Sequence, residues 1–309
     1  MQNLFWKVNN ETRTLVENPF STEQELEKYI FANQDILGDI SIIHRQIKTG
    51  QRQGIPDMLG VDQDNRICII ELKNQLADED VLPQVLGYAI WAETNPDSIK
   101  AIWLESNQKP DDIEIDWDNI DIRMILVAPS FKTTVPRMAG KIGYPIDLVQ
   151  IKRYSFENNE FISVEFLDKP IPQKFTTTKT TLDWNWEYYE KEHGVEATGQ
   201  FKKAVEDIAD YIRKMNWSIP YNINKYYTGF KIANKVIFNV AWNGTYAWSI
   251  RFKIPKEKAI GFSGDAWEFQ TYSTTFKEAY FRPKNPKSAN IQELEPFFIE
   301  AYKRLSRDD

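Results

Sequence analysis

The 309-residue sequence contains one cysteine, Cys68, and two histidines, His44 and His193. A single cysteine excludes an intramolecular disulfide and a cysteine-rich zinc site, and the two histidines lie too far apart in the sequence to form a metal-ligand spacing. No run of about 18 apolar residues is present, so no membrane span is expected. A Walker A loop, a glycine-rich dinucleotide loop and a Gly-x-Ser-x-Gly elbow are also absent, so the sequence offers none of these catalytic or nucleotide-binding sets.

The opening residues, MQNLFWKVNN, lack the basic and then apolar pattern of a secretion signal, so we expect a cytoplasmic location. The net charge of −7 argues weakly against a general nucleic-acid coat protein. Charge is nevertheless uneven, because residues 44–53 contain Arg45, Lys48 and Arg52 without an acidic residue. These three cations are candidates for contacts with phosphates of a nucleic acid; ordinary variation of the surface charge is the alternative.

Length and composition predict two packed domains. Hydrophobic residues make up 42% and aromatic residues 14% of the chain, unlike a disordered protein. Residues 169–182 have no hydrophobic period and are rich in Pro and Thr, which is typical of a linker. We therefore predict an α/β domain over 1–168, with a mixed sheet flanked by helices, and a separate α+β domain over 183–309.

Hydrophobic periods locate the elements of the first domain. An opening hairpin is predicted from LFWKV and TRTLV. Helices are predicted in STEQELEKYIFAN with Thr22 and Glu25 as a capping box, in DEDVLPQVLGYAIWAE with Asp80 as cap, and around 133–141. The remaining strands are predicted in SIIHRQI, 55–61, 67–73, IKAIWLE, IRMILVA and IDLVQIKRY.

The second domain is predicted to contain a helix over 199–215, strands between about 223 and 273, and a final helix over 291–306. It is rich in aromatic residues that either stack on nucleic-acid bases or, alternatively, pack in the core: Trp184, Trp186, Tyr188, Tyr189, Tyr226, Tyr227, Trp242 and Trp248. The segment KYYTGFKIANK interleaves aromatic residues with Lys225, Lys231 and Lys235, and is the best candidate there for a contact with nucleic acid or a protein partner.

The strands 55–61 and 67–73 place charged residues where apolar residues would pack better. If they form a hairpin in which Val61 faces Ile67, Asp57 lies opposite Glu71. Alternation then puts Lys73 on the same face as both acids. Like charges a few ångströms apart repel by about 4 kcal/mol at an effective dielectric of 20. Lys73 or a divalent cation with oxygen ligands would offset this repulsion; the alternative is an exposed salt bridge of little energetic value.

The other face of this hairpin is predicted to enter the core through Met58, Cys68, Ile70 and Leu72. Glu23, in the first turn of the first helix, shares a helical face with Leu26 and Ile30, and Glu27 follows one turn later. Stabilisation of the helix dipole is the alternative use of Glu23. Gln84 and Tyr88 lie on an otherwise apolar stripe of the second helix, either directed at a site or on a partly exposed polar edge.

The order of these elements resembles that of the PD-(D/E)xK, or restriction-endonuclease-like, nuclease superfamily. The matching elements are a helix with Glu23, a strand with Pro56-Asp57, a strand with Glu71-Leu72-Lys73 and a helix with Gln84 and Tyr88. The Gln-x-x-x-Tyr spacing is characteristic of the RecB-like branch. The segments TEQELEKYIFANQDILG, IIHRQIKTG, IPDMLGV and CIIELKNQ are most similar to the catalytic domain of NucS-type endonucleases. The resemblance covers about residues 1–155.

This resemblance implies an endonuclease that depends on Mg²⁺ or Mn²⁺ and hydrolyses DNA in repair or in defence against foreign DNA. It implies that Asp57, Glu71 and the Leu72 carbonyl bind the ion. The other implied roles are activation or orientation of the attacking water by Lys73, a second-metal or outer-sphere role for Glu23, a hydrogen bond from Gln84 near Lys73 or the phosphate, and packing of the helix by Tyr88.

Two alternatives stay open at this point. The chain could be a non-catalytic protein that uses a nuclease fold to bind nucleic acid or assemble a complex, or its substrate could be RNA. The second domain would then contact nucleic acid, a protein partner or a second copy of the chain. The intact set of Asp57, Glu71 and Lys73 favours the enzyme, because a purely binding protein needs no such set.

Overall fold

A computed structural model describes residues 4–8, 11–45, 56–110, 113–167, 184–232 and 235–306. The chain divides into two compact units. The first comprises Met1–Lys109 and Glu114–Thr181, and the second contains Leu182–Asp309. Two of the three predicted phosphate contacts, Lys48 and Arg52, and the predicted linker 169–182 lie outside the described residues.

The first unit is built around one mixed sheet. Its strands are β1 (Leu4–Val8), β2 (Glu11–Glu17), β3 (Ile40–Arg45), β4 (Met58–Asp62), β5 (Ile67–Leu72), β6 (Ile122–Ala128), β7 (Ile146–Phe156) and β8 (Asn159–Phe166). Their order is β1-β2-β7-β6-β5-β4-β3, and β8 pairs with β7. The pairs β5–β6 and β6–β7 are parallel, whereas the others are antiparallel.

Helices flank this sheet. They are α1 (Glu23–Ala32), α2 (Val81–Thr94), α3 (Pro96–Glu105) and α4 (Thr134–Ala139), with a short 3-10 helix at Gln34–Leu37. The mixed sheet with flanking helices confirms the fold class predicted for this part of the chain. The opening hairpin of β1 and β2, the helices α1 and α2, and the strand β3 are also found where the sequence predicts them.

Strands β4 and β5 are buried along their whole length because both faces of the sheet are covered. Met58, Cys68, Ile70 and Leu72 lie in one core cluster, as predicted, and the helix residues Leu26 and Ile30 pack there. On the other face, α2 contacts β5 and β6 and buries Val81 and Val85. Burial on both faces accounts for the nearly continuous apolar run of β5.

Two predictions for this unit are wrong. IKAIWLE is not a strand but the body of α3, which begins at Pro96 and buries Ile99 and Trp103 on one face, four residues apart. Proline is favoured in the first helical turn, where its missing N–H costs no hydrogen bond, so the Asn95-Pro96 pair marks a helix start. Asp80 precedes α2, but its side chain makes no capping hydrogen bond, because its backbone is already helical (φ −67°, ψ −20°).

The second unit is an α+β fold, as predicted. Its helices are α5 (Trp186–His193), α6 (Val195–Lys214), α7 (Lys256–Ala259) and α8 (Glu295–Ser306), with a 3-10 helix at Ile291–Leu294. Its strands are β9 (Tyr221–Ile223), β10 (Tyr227–Ile232), β11 (Lys235–Trp242), β12 (Trp248–Phe252), β13 (Trp267–Ser273) and β14 (Glu278–Pro283), in the antiparallel order β13-β14-β12-β11-β10-β9. Of the helices that the structure describes, none combines the length and apolarity required to cross a bilayer.

Aromatic residues form much of the core of this unit. Phe201 of α6 and Phe298 of α8 pack with Phe238 and Phe252 of the sheet. Among the aromatic residues considered above for base stacking, Tyr189, Tyr227, Trp242 and Trp248 are buried, so packing is their structural use. Tyr226 differs from these four because 36% of its surface is exposed.

Candidate active site

The β4–β5 hairpin has the predicted register. Val61 pairs with Ile67 and Met58 with Ile70, so one further step along the same register places Asp57 opposite Glu71. Asp57 immediately precedes β4, and its Oδ2 accepts a hydrogen bond of 2.8 Å from the backbone N–H of Leu72. That bond ties the Asp57 carboxylate to the strand that contains the second acid.

Glu71 and Lys73 form a close ion pair at the end of β5. The Lys73 Nζ lies 2.6 Å from Glu71 Oε1, and the Glu71 side chain is only 2% exposed. Glu71 Oε2 is buried and has no hydrogen-bond partner among the described residues. The alternative of an exposed surface salt bridge is therefore wrong for this pair: its carboxylate is held inside the protein with one oxygen unsatisfied.

Both carboxyl groups have raised pKa values. The pKa of Glu71 is raised to about 7: burial is the largest cause, the charge of Asp57 adds to the rise, and the hydrogen bond from Lys73 opposes both. Burial likewise raises the pKa of Asp57, against the lowering effects of the Leu72 N–H and Lys73, and the charges of Glu23 and Glu27 add to the rise. A positive charge near both acids would lower these pKa values, because it stabilises the ionised carboxylates.

Lys73 is the positive group already present. Burial by itself lowers the pKa of its ammonium, but the hydrogen bond to Glu71 and the charges of Glu71, Glu23 and Asp57 raise that pKa overall. Lys73 is therefore protonated at neutral pH. In this arrangement it can donate hydrogen bonds and stabilise negative charge, but it cannot accept a proton.

Helix α1 directs acidic residues toward the site. Thr22 caps the helix through a bond of 3.1 Å from the Glu25 N–H, and Glu25 accepts from Ser21 N–H at 2.7 Å, close to the predicted capping box. Glu23 is exposed, whereas Glu27 is only 5% exposed. The negative charges of both Glu23 and Glu27 raise the pKa of Asp57. The acidic residues of α1 that influence the site therefore include Glu27, one turn beyond the predicted site residue Glu23. The four-residue spacing on a shared face was the signal for Glu27.

Arg45, the one predicted phosphate contact within the described residues, lies at the end of β3. Its Nη1 is 3.9 Å from Glu27 Oε1, its guanidinium lies 5.0 Å from the centre of the Phe31 ring, and 36% of its side chain is exposed. Arg45 also pairs with Met58, the residue after Asp57. This cation is therefore near the acidic site, and its contact with phosphate stays a prediction.

Helix α2 contributes the amide and phenol that the sequence singled out. Gln84 Nε2 donates to the Tyr88 hydroxyl oxygen at 2.9 Å, so its hydrogen bond is made to Tyr88, and no bond to Lys73 is observed. Tyr88 is 7% exposed. Burial raises the pKa of Tyr88; the bond from Gln84 opposes this, and the charges of Glu71 and Asp57 reinforce it. Tyr88 is thus electrostatically coupled to both carboxylates.

The residues present fit a divalent cation with few protein ligands. No cluster of three or more His, Cys, Asp or Glu side chains able to hold a metal occurs in the described part of the chain. The buried Glu71 carboxylate and the half-buried Asp57 carboxylate, both with raised pKa values, do converge, and the unsatisfied Glu71 Oε2 is a hard oxygen of the type that Mg²⁺ or Mn²⁺ prefers. The main-chain carbonyl of Leu72 would be the third protein ligand of such a cation.

No protein-family model matches the sequence, and no match is found among curated proteins. Among solved structures, the chain is similar to one in an EndoMS–dsDNA complex, with 26% identity over 42% of this chain and 44% of that chain and a TM-score of 0.30. It is also similar to a repair endonuclease from Pyrococcus abyssi, with 27% identity over 44% and 50% of the two chains and a TM-score of 0.29. A third similar structure is EndoMS in its apo form, at 18% identity over 48% and 64%, with a TM-score of 0.27. Each alignment spans less than two thirds of the solved chain.

Proposed function

We propose that this chain is a metal-dependent endonuclease that hydrolyses phosphodiester bonds of DNA. The observation that supports the proposal best is the Glu71 carboxylate, buried, with one oxygen on Lys73 and the other unsatisfied, beside a second carboxylate of raised pKa. Perturbed acids grouped with a lysine are typical of sites that handle a charged substrate.

Asp57, Glu71 and the Leu72 carbonyl are the residues that would bind the cation. When bound, Mg²⁺ or Mn²⁺ would polarise the scissile phosphate and make a water molecule more acidic. Lys73, as a protonated donor, would orient the attacking water or stabilise the added charge on the phosphate oxygens. Glu23 would act from α1 through its negative charge, and Tyr88, fixed by Gln84, would keep α2 against the carboxylates. Repair or defence against foreign DNA would be the biological setting.

A cleavage assay tests this function. Single-stranded, duplex and branched DNA would each be incubated with the full chain in Mg²⁺, Mn²⁺ or chelator. We expect cleavage only with metal, and loss of cleavage in Asp57→Ala and Lys73→Ala. Lys203→Ala is a matched control, because Lys203 forms an exposed ion pair of the same 2.6 Å length with Asp207 on α6.

Full cleavage by Asp57→Ala or Lys73→Ala would refute the proposed site. Binding of DNA without metal and without cleavage in the wild type would instead support the alternative of a binding protein. Cleavage of RNA but not of DNA under the same conditions would support the proposed metal-dependent mechanism with RNA, and not DNA, as the substrate.

A further inference from the structure

Arg153 of β7 is a buried arginine that lies outside the proposed catalytic residues, with 9% of its surface exposed. Its Nε donates to the Asn18 carbonyl at 2.8 Å, its Nη2 to the Pro19 carbonyl at 3.1 Å, and its Nη1 to Glu25 Oε1 at 2.8 Å. Its guanidinium carbon lies 4.3 Å from the centre of the Phe20 ring. Every nitrogen of this guanidinium therefore binds one short segment, the chain that leads from β2 into the first turn of α1.

The same segment is tied to Arg153 by further bonds. The Asn18 N–H donates to the Arg153 carbonyl at 2.8 Å, so Arg153 binds this residue through both its main chain and its side chain. Glu25 connects the arginine to the start of the helix, because its other carboxylate oxygen accepts from the Ser21 N–H at 2.7 Å. Several charge-assisted bonds from one planar guanidinium add geometric specificity. The entry of the chain into α1 is thereby fixed on β7.

The first turn of α1 contains the acidic residue Glu23 of the proposed site. Burial is the largest influence on the pKa values of Asp57, Glu71 and Lys73, and the charge of Glu23 raises all three. Glu23 is exposed, so its own side chain has little packing to hold it in place. Its position relative to the two carboxylates depends on where the helix begins.

The arginine also lies close to the end of β5. One cleft of the first unit is lined by Arg153, by Phe20 and Leu26 from the start of α1, and by Asn74, the residue that follows Lys73. Helix α1 also contacts β5 directly. Because these elements meet at one cleft, loosening the start of α1 from β7 would move its first turn relative to the end of β5.

We propose that Arg153 is a positioning residue of the proposed nuclease site, which fixes the first turn of α1 so that Glu23 faces the carboxylates of Asp57 and Glu71. In the part of the chain that the structure describes, Arg153 forms no ion pair with these two acids, so it acts on a bound cation through α1. Residues that orient the groups around a metal typically contribute roughly 10- to 100-fold to metal affinity or activity. The proposal rests on the proposed nuclease function and adds to it a residue of β7, a strand that supplies none of the other site residues.

Mn²⁺ binding to the full chain without DNA, measured by isothermal titration calorimetry, tests this role apart from cleavage. We expect Arg153→Gln to weaken Mn²⁺ binding and to slow cleavage, each by about tenfold. Arg153→Lys should restore only part of both, because an ammonium can replace the ion pair with Glu25 but lacks the planar fork that also reaches two carbonyls. Thermal unfolding of each variant establishes the temperature at which all of them are folded.

Arg123→Gln is the matched control. Arg123 is a half-buried arginine of β6 whose Nη2 lies 2.6 Å from Asp147 Oδ2. It pairs with Cys68 near the start of β5, whereas the site lies at the end of that strand. Arg123→Gln should therefore lower the unfolding temperature but leave Mn²⁺ affinity and cleavage as in the wild type.

A double-mutant cycle with Glu23→Gln distinguishes positioning from a general loss of structure. If Arg153 acts through Glu23, Arg153→Gln should change Mn²⁺ affinity and cleavage by less than about twofold in the Glu23→Gln background, although it lowers the unfolding temperature in both backgrounds. Tenfold losses in both backgrounds would overturn the proposal, and so would wild-type Mn²⁺ affinity and cleavage in a folded Arg153→Gln.

The same measurements separate this role from the proposed function. A wild type that neither binds Mn²⁺ nor cleaves nucleic acid would refute the proposed function, and the positioning role with it. A wild type that does both, beside an unchanged Arg153→Gln, would refute the positioning role alone.

Discussion

The Lys73 ammonium lies 2.6 Å from one oxygen of the Glu71 carboxylate, and the other oxygen of that carboxylate is buried without a hydrogen-bond partner. The two residues are separated by one position in the chain, so they project from the same face at the end of β5. A buried charge that is only half satisfied destabilises the folded protein unless something binds it. The pair therefore has measurable consequences for stability as well as for catalysis.

The first prediction concerns stability against pH. Folding raises the pKa of Glu71 from 4.5 to about 7, so between these values the folded protein holds a proton that the unfolded chain has lost. The free energy of unfolding should consequently fall as pH rises through this window, by about 3 kcal/mol for a shift of this size. The raised pKa of Asp57 acts in the same direction.

Urea unfolding in chelator at several pH values measures this effect. In chelator, Glu71→Gln should reduce the fall of the unfolding free energy with pH. In a second series without chelator, Mg²⁺ should raise the stability of the wild type most near pH 7, because a cation binds the ionised carboxylates. An identical pH dependence in wild type and Glu71→Gln would contradict the burial argument. An absent response to Mg²⁺ or Mn²⁺ would count against the metal site alone.

The second prediction separates Tyr88 from Gln84. Tyr88→Phe removes the hydroxyl that accepts from Gln84 and lies within the field of the two carboxylates. We expect a loss of about 1 kcal/mol in stability, the net value of one hydrogen bond, and a lower cleavage rate. Gln84→Ala removes the same hydrogen bond by deleting its donor, which belongs to an exposed residue. Cleavage rates that are reduced equally in the two variants would indicate that the hydrogen bond matters. A slower rate for Tyr88→Phe than for Gln84→Ala would indicate that the phenol hydroxyl itself matters.

Local pattern was enough to predict the β4–β5 hairpin, because a short loop and alternation together permit one favourable register for Asp57 and Glu71. The apolar residues of IKAIWLE match both a strand and a helix, so α3 was missed; the local signal that identifies it is the helix-start pair Asn95-Pro96. The burial of Glu27 depends on contacts between elements distant in the sequence. Its local signal is limited to its spacing of four residues from Glu23, on the helical face that also holds Leu26 and Ile30.

The third prediction concerns a buried ionic cluster at the turn end of the same hairpin. Asp62 is 2% exposed and accepts from Arg66 Nε at 2.8 Å and from Arg123 Nη1 at 3.1 Å. Burial alone would raise the pKa of Asp62, but the two guanidinium charges lower it overall. Its contribution to stability is present above its ordinary pKa of 3.8 and is lost as pH falls through the lower folded value.

Asp62→Asn should lower the free energy of unfolding by about 3 kcal/mol, because two half-buried guanidinium groups lose their shared partner. The loss stays at this lower end of the range for buried pairs because Arg66 keeps Asp64 and Arg123 keeps Asp147. Asp207→Asn, which breaks the exposed pair with Lys203, is the control and should cost less than about 1 kcal/mol. Chemical denaturation at neutral pH gives both values. A loss for Asp62→Asn no greater than that of the control would show that the cluster contributes little.

The last prediction concerns the segment that joins the final helices of the second unit to its sheet. The Glu293 carboxylate accepts from the backbone N–H groups of Ala266 and Trp267, at 2.8 and 3.0 Å, and also from that of Asp265. A methyl group on Gly264 would overlap this carboxylate. Gly264→Ala should therefore displace Glu293 and cost about 1–3 kcal/mol in stability, through strain and the lost hydrogen bonds.

A double-mutant cycle with Glu293→Ala tests that explanation. With the carboxylate removed, the added methyl group has space, so Gly264→Ala should cost much less in the Glu293→Ala background than in the wild type. Gly143→Ala is a control, since a methyl group there meets no atom within 4 Å. If the two costs simply add, the strain at Gly264 arises elsewhere, and the carboxylate does not hold this segment by the contacts described.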